Sequence, residues 1–188
     1  MMEINKDVFA AFPVLRTKRL TLRDIRLSDA QEIFCMRSSG RVNRFIARPD
    51  MSDAGDAVTL AGKTKQAYEQ GLGIGWAGVL TGQEEIIGTC GFNRIDYPNL
   101  RAEIGGELSV DNWGKHLALE AVTAIVAFGF DIMNLHAIEA KLSPGNRGAI
   151  YLLDHLGFRK EAHFKDYIYF NDAFSDMVVY TMINPGHS

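Results

Sequence analysis

The stretch from Arg101 to Ser143 constrains the fold of this chain more than any other. "RAEIGGELSV" alternates as a strand does, "DNWGKHLALEA" turns a corner at Trp113-Gly114-Lys115, an apolar helix follows, and "LHAIEAKLS" is a second strand. A helix apolar over most of its circumference is buried in the molecule rather than laid on its surface. A strand, a crossover helix and a strand of one sheet run parallel with a right-handed connection. The unit therefore predicts a parallel strand pair at the heart of a sheet.

The flanking sequence supplies antiparallel neighbours. "RLTLRDIRLSD" reads as a first strand ending near Ser28-Asp29, with Asp29 as the cap of a helix "AQEIFCMRSSG" whose Ile33, Phe34 and Met36 have helical spacing. A second helix runs from about Ala54 to Gln70 and is closed by the glycines of "EQGLGIG". "WAGVL" and "EEIIGTCGFNRI", joined by "TGQ", form a hairpin, and "DYPNL" turns into "RAEIGGELSV". Beyond the crossover come a short helix, "NRGAIYLLDHLGF", and two strands, "HFKDYIYF" and "DMVVYTMI". The fold class is α/β: a single mixed, mostly antiparallel sheet with helices on both faces. The 188 residues suffice for one well-cored domain, and neither a linker nor an internal repeat interrupts them.

Composition narrows the function classes. A net charge of −3 argues against nucleic acid held by a general electrostatic footprint, and no apolar run approaches a membrane span. The N-terminal residues lack the apolar core of a signal peptide. Cys35 and Cys90, far apart and outside any CxxC pattern, read as reduced, buried thiols. The five histidines show no HxH or HExxH spacing, so no metal is expected. These features predict a cytoplasmic protein, a monomer or homodimer, with neither a nucleic-acid nor a membrane partner.

The corner has a chemistry of its own. The first amides of a helix lack intrahelical partners and carry the positive end of the helix dipole, so an anion is favoured there. Gly114 permits a turn that a Cβ would crowd, and Lys115 adds a cation. Trp113, Gly114, Lys115, His116, Leu117, Ala118 and Leu119 thus form a candidate phosphate cradle. A helix start that caps itself with Asp111 or Asn112 explains the same residues, and both readings stand at this point.

Three phrases in order, "LRTKRLTLRDIRLSDAQEIF", "AEIGGELSVDNWGKHLALEA" and "NRGAIYLLDHLGFRKEA", resemble the GCN5-related N-acetyltransferases, in the branch typified by the ribosomal-protein N-terminal acetyltransferases. The resemblance covers residues 14–183 and implies one N-acetyltransferase domain whose central parallel strands splay apart. It implies acetyl-coenzyme A as cosubstrate, with its pyrophosphate on the cradle and its pantetheine arm along Leu108, Ser109 and Val110. Asn146 matches a family asparagine near the thiol end, and also suits the cap of the helix that follows. His116 replaces the family's central cradle glycine; a helical backbone with negative φ would accommodate its Cβ, and its side chain is then expected to point outward.

Acyl transfer to an amine requires that the amine lose a proton, and a backbone N–H near Val110 would stabilise the charge that gathers on the thioester oxygen. The candidate bases are Glu103 and Glu107, four apart and on one face of an ideal strand, although Gly105-Gly106 invites a bulge. Pairing with Arg101 or Lys141 is their structural alternative. Where relatives carry a serine or tyrosine acid, this chain has Ala149 and Leu153, so a thiolate leaving group is expected without an acid from that helix. The resemblance implies a primary amine as acceptor, on a protein N-terminus or a small molecule, and the acidic balance of the chain favours a cationic one. The competing reading, motivated by His116 and Ala149, is an acyl-coenzyme A binding module without turnover. A nucleotide-binding oxidoreductase is excluded, because no GxGxxG follows the first strand.

Overall fold

In the computed structural model, which describes residues 2–187, eight strands form one sheet in the spatial order β1-β2-β3-β4-β5-β6-β8-β7. They are β1 (Leu15–Arg16), β2 (Leu20–Asp24), β3 (Ile74–Leu80), β4 (Ile86–Asp96), β5 (Arg101–Leu108), β6 (Ala137–Leu142), β7 (Arg159–Phe170) and β8 (Ala173–Ile183). The helices are α1 (Ala30–Arg37), α2 (Gly40–Asn43), α3 (Ala54–Glu69), α4 (Leu117–Ala127) and α5 (Arg147–Leu156). Every neighbouring pair is antiparallel except β5 and β6, the pair joined by the crossover helix α4.

Strand alternation divides the core. Ile74 and Trp76 of β3 face α4, where the fully buried indole packs edge-on against Phe92 and Phe128. Its Nε1 donates to the Pro13 carbonyl at 2.7 Å, so the one polar atom of the ring is satisfied. Ala77 and Val79 face the other way, onto Ile33 and Met36 of α1 and Ala57 and Ala61 of α3. Small residues let α3 lie close to the sheet: a Cβ at Gly75 would collide with the Thr64 methyl. The sheet therefore separates an α1–α3 side from an α4 side.

The first strand ends at Asp24, earlier than the alternation suggests. Asp29 is the reason. Its carboxylate caps no helix amide but takes both prongs of the buried Arg23 guanidinium at 2.8 Å and the Arg26 amide at 2.8 Å, which curls residues 27–29 into a 3-10 turn. Asp53 caps α3 through the amides of Gly55 and Asp56. The expected apolar crossover helix, α4, is α-helical only to Ala127 and closes in a π turn, Phe128–Ile132. Cys35 is exposed, contrary to the buried thiol expected, because it lies on the outer face of α1.

Candidate active site

The parallel pair is short. Backbone pairing of β5 with β6 covers only Arg101 with Ala137, Ala102 with Ile138 and Glu103 with Glu139. Beyond those residues β5 continues to Leu108 beside β4 while β6 continues to Leu142 beside β8, so the two diverge. A V-shaped gap opens in the middle of the sheet, and backbone groups of two strands face it without a strand between them. The cleft around this gap has a volume of about 1630 Å³ and reaches both sides of the sheet, enough for a long cofactor and a second substrate.

At one end of the gap stands the corner. Gly114 has φ +73° and His116, the residue before α4, has φ +58°, both in the left-handed region. This corrects the negative φ expected for His116: the corner needs two left-handed residues, and the second is met by a non-glycine residue. The imidazole is exposed, as expected of a side chain pointing outward. No side chain caps α4, so the amides of Leu117, Ala118 and Leu119 keep the open valences of a helix start. A helix that merely capped itself with Asp111 or Asn112 would have filled them. Lys115 instead bonds Asn112 Oδ1 at 3.2 Å, which keeps its ammonium at the corner. These unfilled amides and the exposed corner suit a pyrophosphate.

The positions expected to carry the pantetheine arm are partly engaged. The Leu108 carbonyl accepts the indole N–H of Trp113 at 2.8 Å, and Ser109 donates its amide to Ile87 and accepts from Asn112. Val110 opens a 3-10 turn, Val110–Asn112, that feeds the corner. The open stretch of β5 facing the gap therefore lies before Leu108, between Ile104 and Glu107. Asn146 sits on the opposite lip and caps α5, accepting the Ala149 amide at 3.1 Å. Both lips of the gap thus end in a helix start.

Glu103 and Glu107 stand on the α1–α3 side, since Ala102 and Ile104, which alternate with Glu103 along β5, enter the core under α4. The glycine pair introduces no bulge, for Gly105 and Gly106 pair regularly with Gly91 and Cys90; the register shift lies between Phe92 and Arg94 of β4, opposite Ile104 and Glu103. The two carboxylates differ in their surroundings. The Glu107 side chain is buried, with Oε1 taking Arg37 Nε at 2.6 Å and Oε2 taking Arg48 Nη2 at 2.5 Å. Glu103 is half-buried, binds Lys141 Nζ through Oε2 at 2.6 Å, and leaves Oε1 without a protein donor.

No proton donor faces the cleft from a side chain of α5, whose lining residues are Gly148, Ala149, Leu152 and Leu153. Ala149 and the buried Leu153 have nothing to donate from their side chains, and Tyr151 is exposed. Tyr180 is a core residue whose phenol burial pushes above its ordinary pKa, with the Asp154 carboxylate adding to the shift. Tyr167 is exposed on β7 against Phe164. Cys90 lines the cleft, but burial pushes its thiol up to about 12, so it is no nucleophile. Among the described residues no cluster of ligating side chains could hold a metal, and no helix is long and apolar enough to cross a membrane.

Four arginines of the cleft wall escaped the sequence reading: Arg37, Arg41, Arg44 and Arg48. Their spacing of four, three and four was the available signal, since it puts like charges on one side of a helical segment.

The family model of the acetyltransferase (GNAT) domain matches residues 19–159. The chain is 35% identical over 169 residues to the uncharacterized N-acetyltransferase p20 of Bacillus licheniformis, which covers 90% of this chain and 95% of that protein. The ribosomal-protein-S5-alanine acetyltransferase of Vibrio fischeri superposes with a TM-score of 0.79 at 25% identity, over 92% of this chain and 97% of that one. The RimL ribosomal L7/L12 alpha-N-protein acetyltransferase, solved in complex with coenzyme A, superposes with a TM-score of 0.83 at 16% identity, over 91% and 98%. A gap between parallel strands that ends on open helix amides is what an acetyl-coenzyme A site in such a fold requires, and the chain belongs to the GNAT acetyltransferases as an acetyl-coenzyme A-dependent N-acetyltransferase.

Proposed function

We propose that the enzyme moves the acetyl group directly from acetyl-coenzyme A to a primary amine while both are bound. The observation that carries this reading is the two-sided cleft: the cofactor would enter by the open amides of α4, and the amine from the α1–α3 side. Cys90, the cysteine that lines the gap, is no activated nucleophile for an acetyl-enzyme, because burial pushes its thiol up to about 12. The amine lone pair attacks the thioester carbonyl, the oxygen gathers charge, and the carbon–sulfur bond then breaks to release coenzyme A as a thiolate.

Of the two carboxylates, Glu103 is the proposed proton acceptor, directly or through a water, since one of its oxygens is free of a protein donor. Glu107 is assigned to hold Arg37 and Arg48, because each of its oxygens already has a guanidinium. Leu108 to Val110 and Asn146 would flank the cofactor arm, and residues 113–119 its pyrophosphate.

Initial rates of coenzyme release, measured over both substrates, test the order of events. Intersecting reciprocal plots are expected; parallel lines would mean an acetyl-enzyme and overturn direct transfer. Glu103→Gln is expected to lower kcat by about a hundredfold, the low end of what a general base contributes, with acetyl-coenzyme A affinity unchanged within a few-fold. An unchanged kcat would remove Glu103 from the reaction.

A further inference from the structure

The segment from Arg37 to Arg48 spans the mouth of the gap. On one lip, the Arg41 guanidinium lies over the indole of Trp113, 5.3 Å from the ring centroid. On the other, Phe45 packs on the loop before α5, where a Cβ at Gly145 would come within 3.1 Å of Phe45 Cε1. A molecule that reaches the gap from the α1–α3 side must pass this strap.

Its charges are not balanced. Glu107 answers Arg37 and Arg48 together, one carboxylate for two guanidiniums. Arg41 and Arg44 are exposed, line the cleft and pair with no carboxylate among the described residues. Arg44 lies over the Phe45 ring, 5.2 Å from its centroid, as Arg41 does over Trp113. A guanidinium stacked on an aromatic face loses little freedom when it binds, and its fork of N–H donors stays open at the edge. The remaining carboxylates of the cleft are already engaged: Glu103 by Lys141, Asp176 by His163, and Asp50 by the Asn43 amide.

Resting on the acetyl-transfer reading, we infer that the acceptor is a primary amine carrying an acidic group, carboxylate or phosphate, which Arg41 and Arg44 hold while the amine reaches the thioester. Planar forks match both groups, and the local excess of positive charge disfavours a polycationic acceptor. This reverses the cationic preference that the overall acidity of the chain suggests, because net charge says nothing of how charge is arranged in one cleft.

Matched acceptors test the inference. Two short amidated peptides with free N-termini differ only in Asp-Glu or Asn-Gln at the second and third positions; an amino-sugar phosphate is paired with its parent sugar; spermidine is the cationic control. The acidic member of at least one pair is expected to exceed its twin about tenfold in kcat/KM, the worth of one charge-assisted hydrogen bond. The responding pair tells carboxylate from phosphate. Arg44→Glu and Arg41→Ala should abolish that preference and leave the acetyl-coenzyme A Kd within a few-fold, while Arg44→Lys should retain part of it.

Equal rates on both twins, or a preference for spermidine, would overturn the inference and leave acetyl transfer standing. A raised acetyl-coenzyme A Kd in Arg41→Ala and Arg44→Glu, with the preference intact, would give these arginines to the cofactor and overturn it as well. Failure to acetylate any amine, with acetyl-coenzyme A bound, would overturn acetyl transfer itself and this inference with it.

Discussion

Arg19 clamps the corner to the edge of the sheet through Glu120. Its Nε donates to Glu120 Oε2 at 2.7 Å and its Nη1 to the Lys115 carbonyl at 3.0 Å, while Glu120 Oε1 takes the Arg19 amide at 2.7 Å and the Thr17 hydroxyl at 2.5 Å. One carboxylate in the first turn of α4 thus ties the β1–β2 turn to the cradle.

This arrangement sets a pH dependence. Burial disfavours ionised Glu120, yet the hydrogen bonds from Thr17 and Arg19 outweigh it and hold the carboxyl below its ordinary 4.5. A folded-state pKa below the unfolded one contributes stability above the unfolded value and loses it as pH falls through the folded value. Glu120→Gln should therefore lower stability by about 1–2 kcal/mol at neutral pH. Urea unfolding should show the gap between the two proteins closing below about pH 4; a gap that stays constant down to about pH 3 would contradict the assignment.

His116 offers a test of backbone strain. A left-handed conformation costs a residue with a Cβ about 1 kcal/mol, and glycine almost nothing. His116→Gly is accordingly expected to raise stability by about 0.5–1 kcal/mol, whereas a helical position would have lost as much. The melting temperature decides the sign, and acetyl-coenzyme A affinity should stay within a few-fold because the imidazole faces solvent.

Gly114 should respond in the opposite sense. A Cβ there meets no atom within 4 Å, so the penalty of Gly114→Val comes from φ +73° rather than collision. A β-branched residue would pull the corner out of the left-handed region and move the amides behind it. The acetyl-coenzyme A Kd, read by titration calorimetry, is expected to rise about tenfold or more, equivalent to the ~1–2 kcal/mol of strain. An unchanged Kd would mean that the corner is only a helix start.

Glu107 is predicted to matter first for folding. Glu107→Ala leaves Arg37 and Arg48 facing each other without their shared carboxylate, which should cost about 3 kcal/mol, the low end for breaking a buried pair because the guanidiniums are partly exposed. Removing Arg48 as well should recover part of that loss. Additive losses in urea unfolding would show that the three charges are not coupled.

Bound cofactor supplies an independent check. Acetyl-coenzyme A at a hundred times its Kd should stabilise the enzyme by about 2.7 kcal/mol. No rise in melting temperature at millimolar concentration would count against the cradle.

Much of this protein was written in local sequence. Periodicity along Arg101 to Ser143 dictated the parallel unit, because a buried helix between two strands of one sheet has one favoured hand. The corner and the cap at Asn146 were legible too, since each depends on residues within a few positions of one another. What depended on distant partners was not. Asp29 has the sequence of a helix cap, but Arg23 supplies a buried guanidinium that a carboxylate binds more strongly than an amide. Glu103 and Glu107 look alike on one strand, and only the packing of α1 and of the segment after α2 brings Arg37 and Arg48 onto the second and leaves the first with Lys141. The insertion of β8 between β6 and β7, and the arginine strap across the gap, were likewise decided by tertiary structure. Local patterns set backbone conformation within a few residues, whereas the charge environment of a cleft is the sum of side chains that the chain brings together only when it folds.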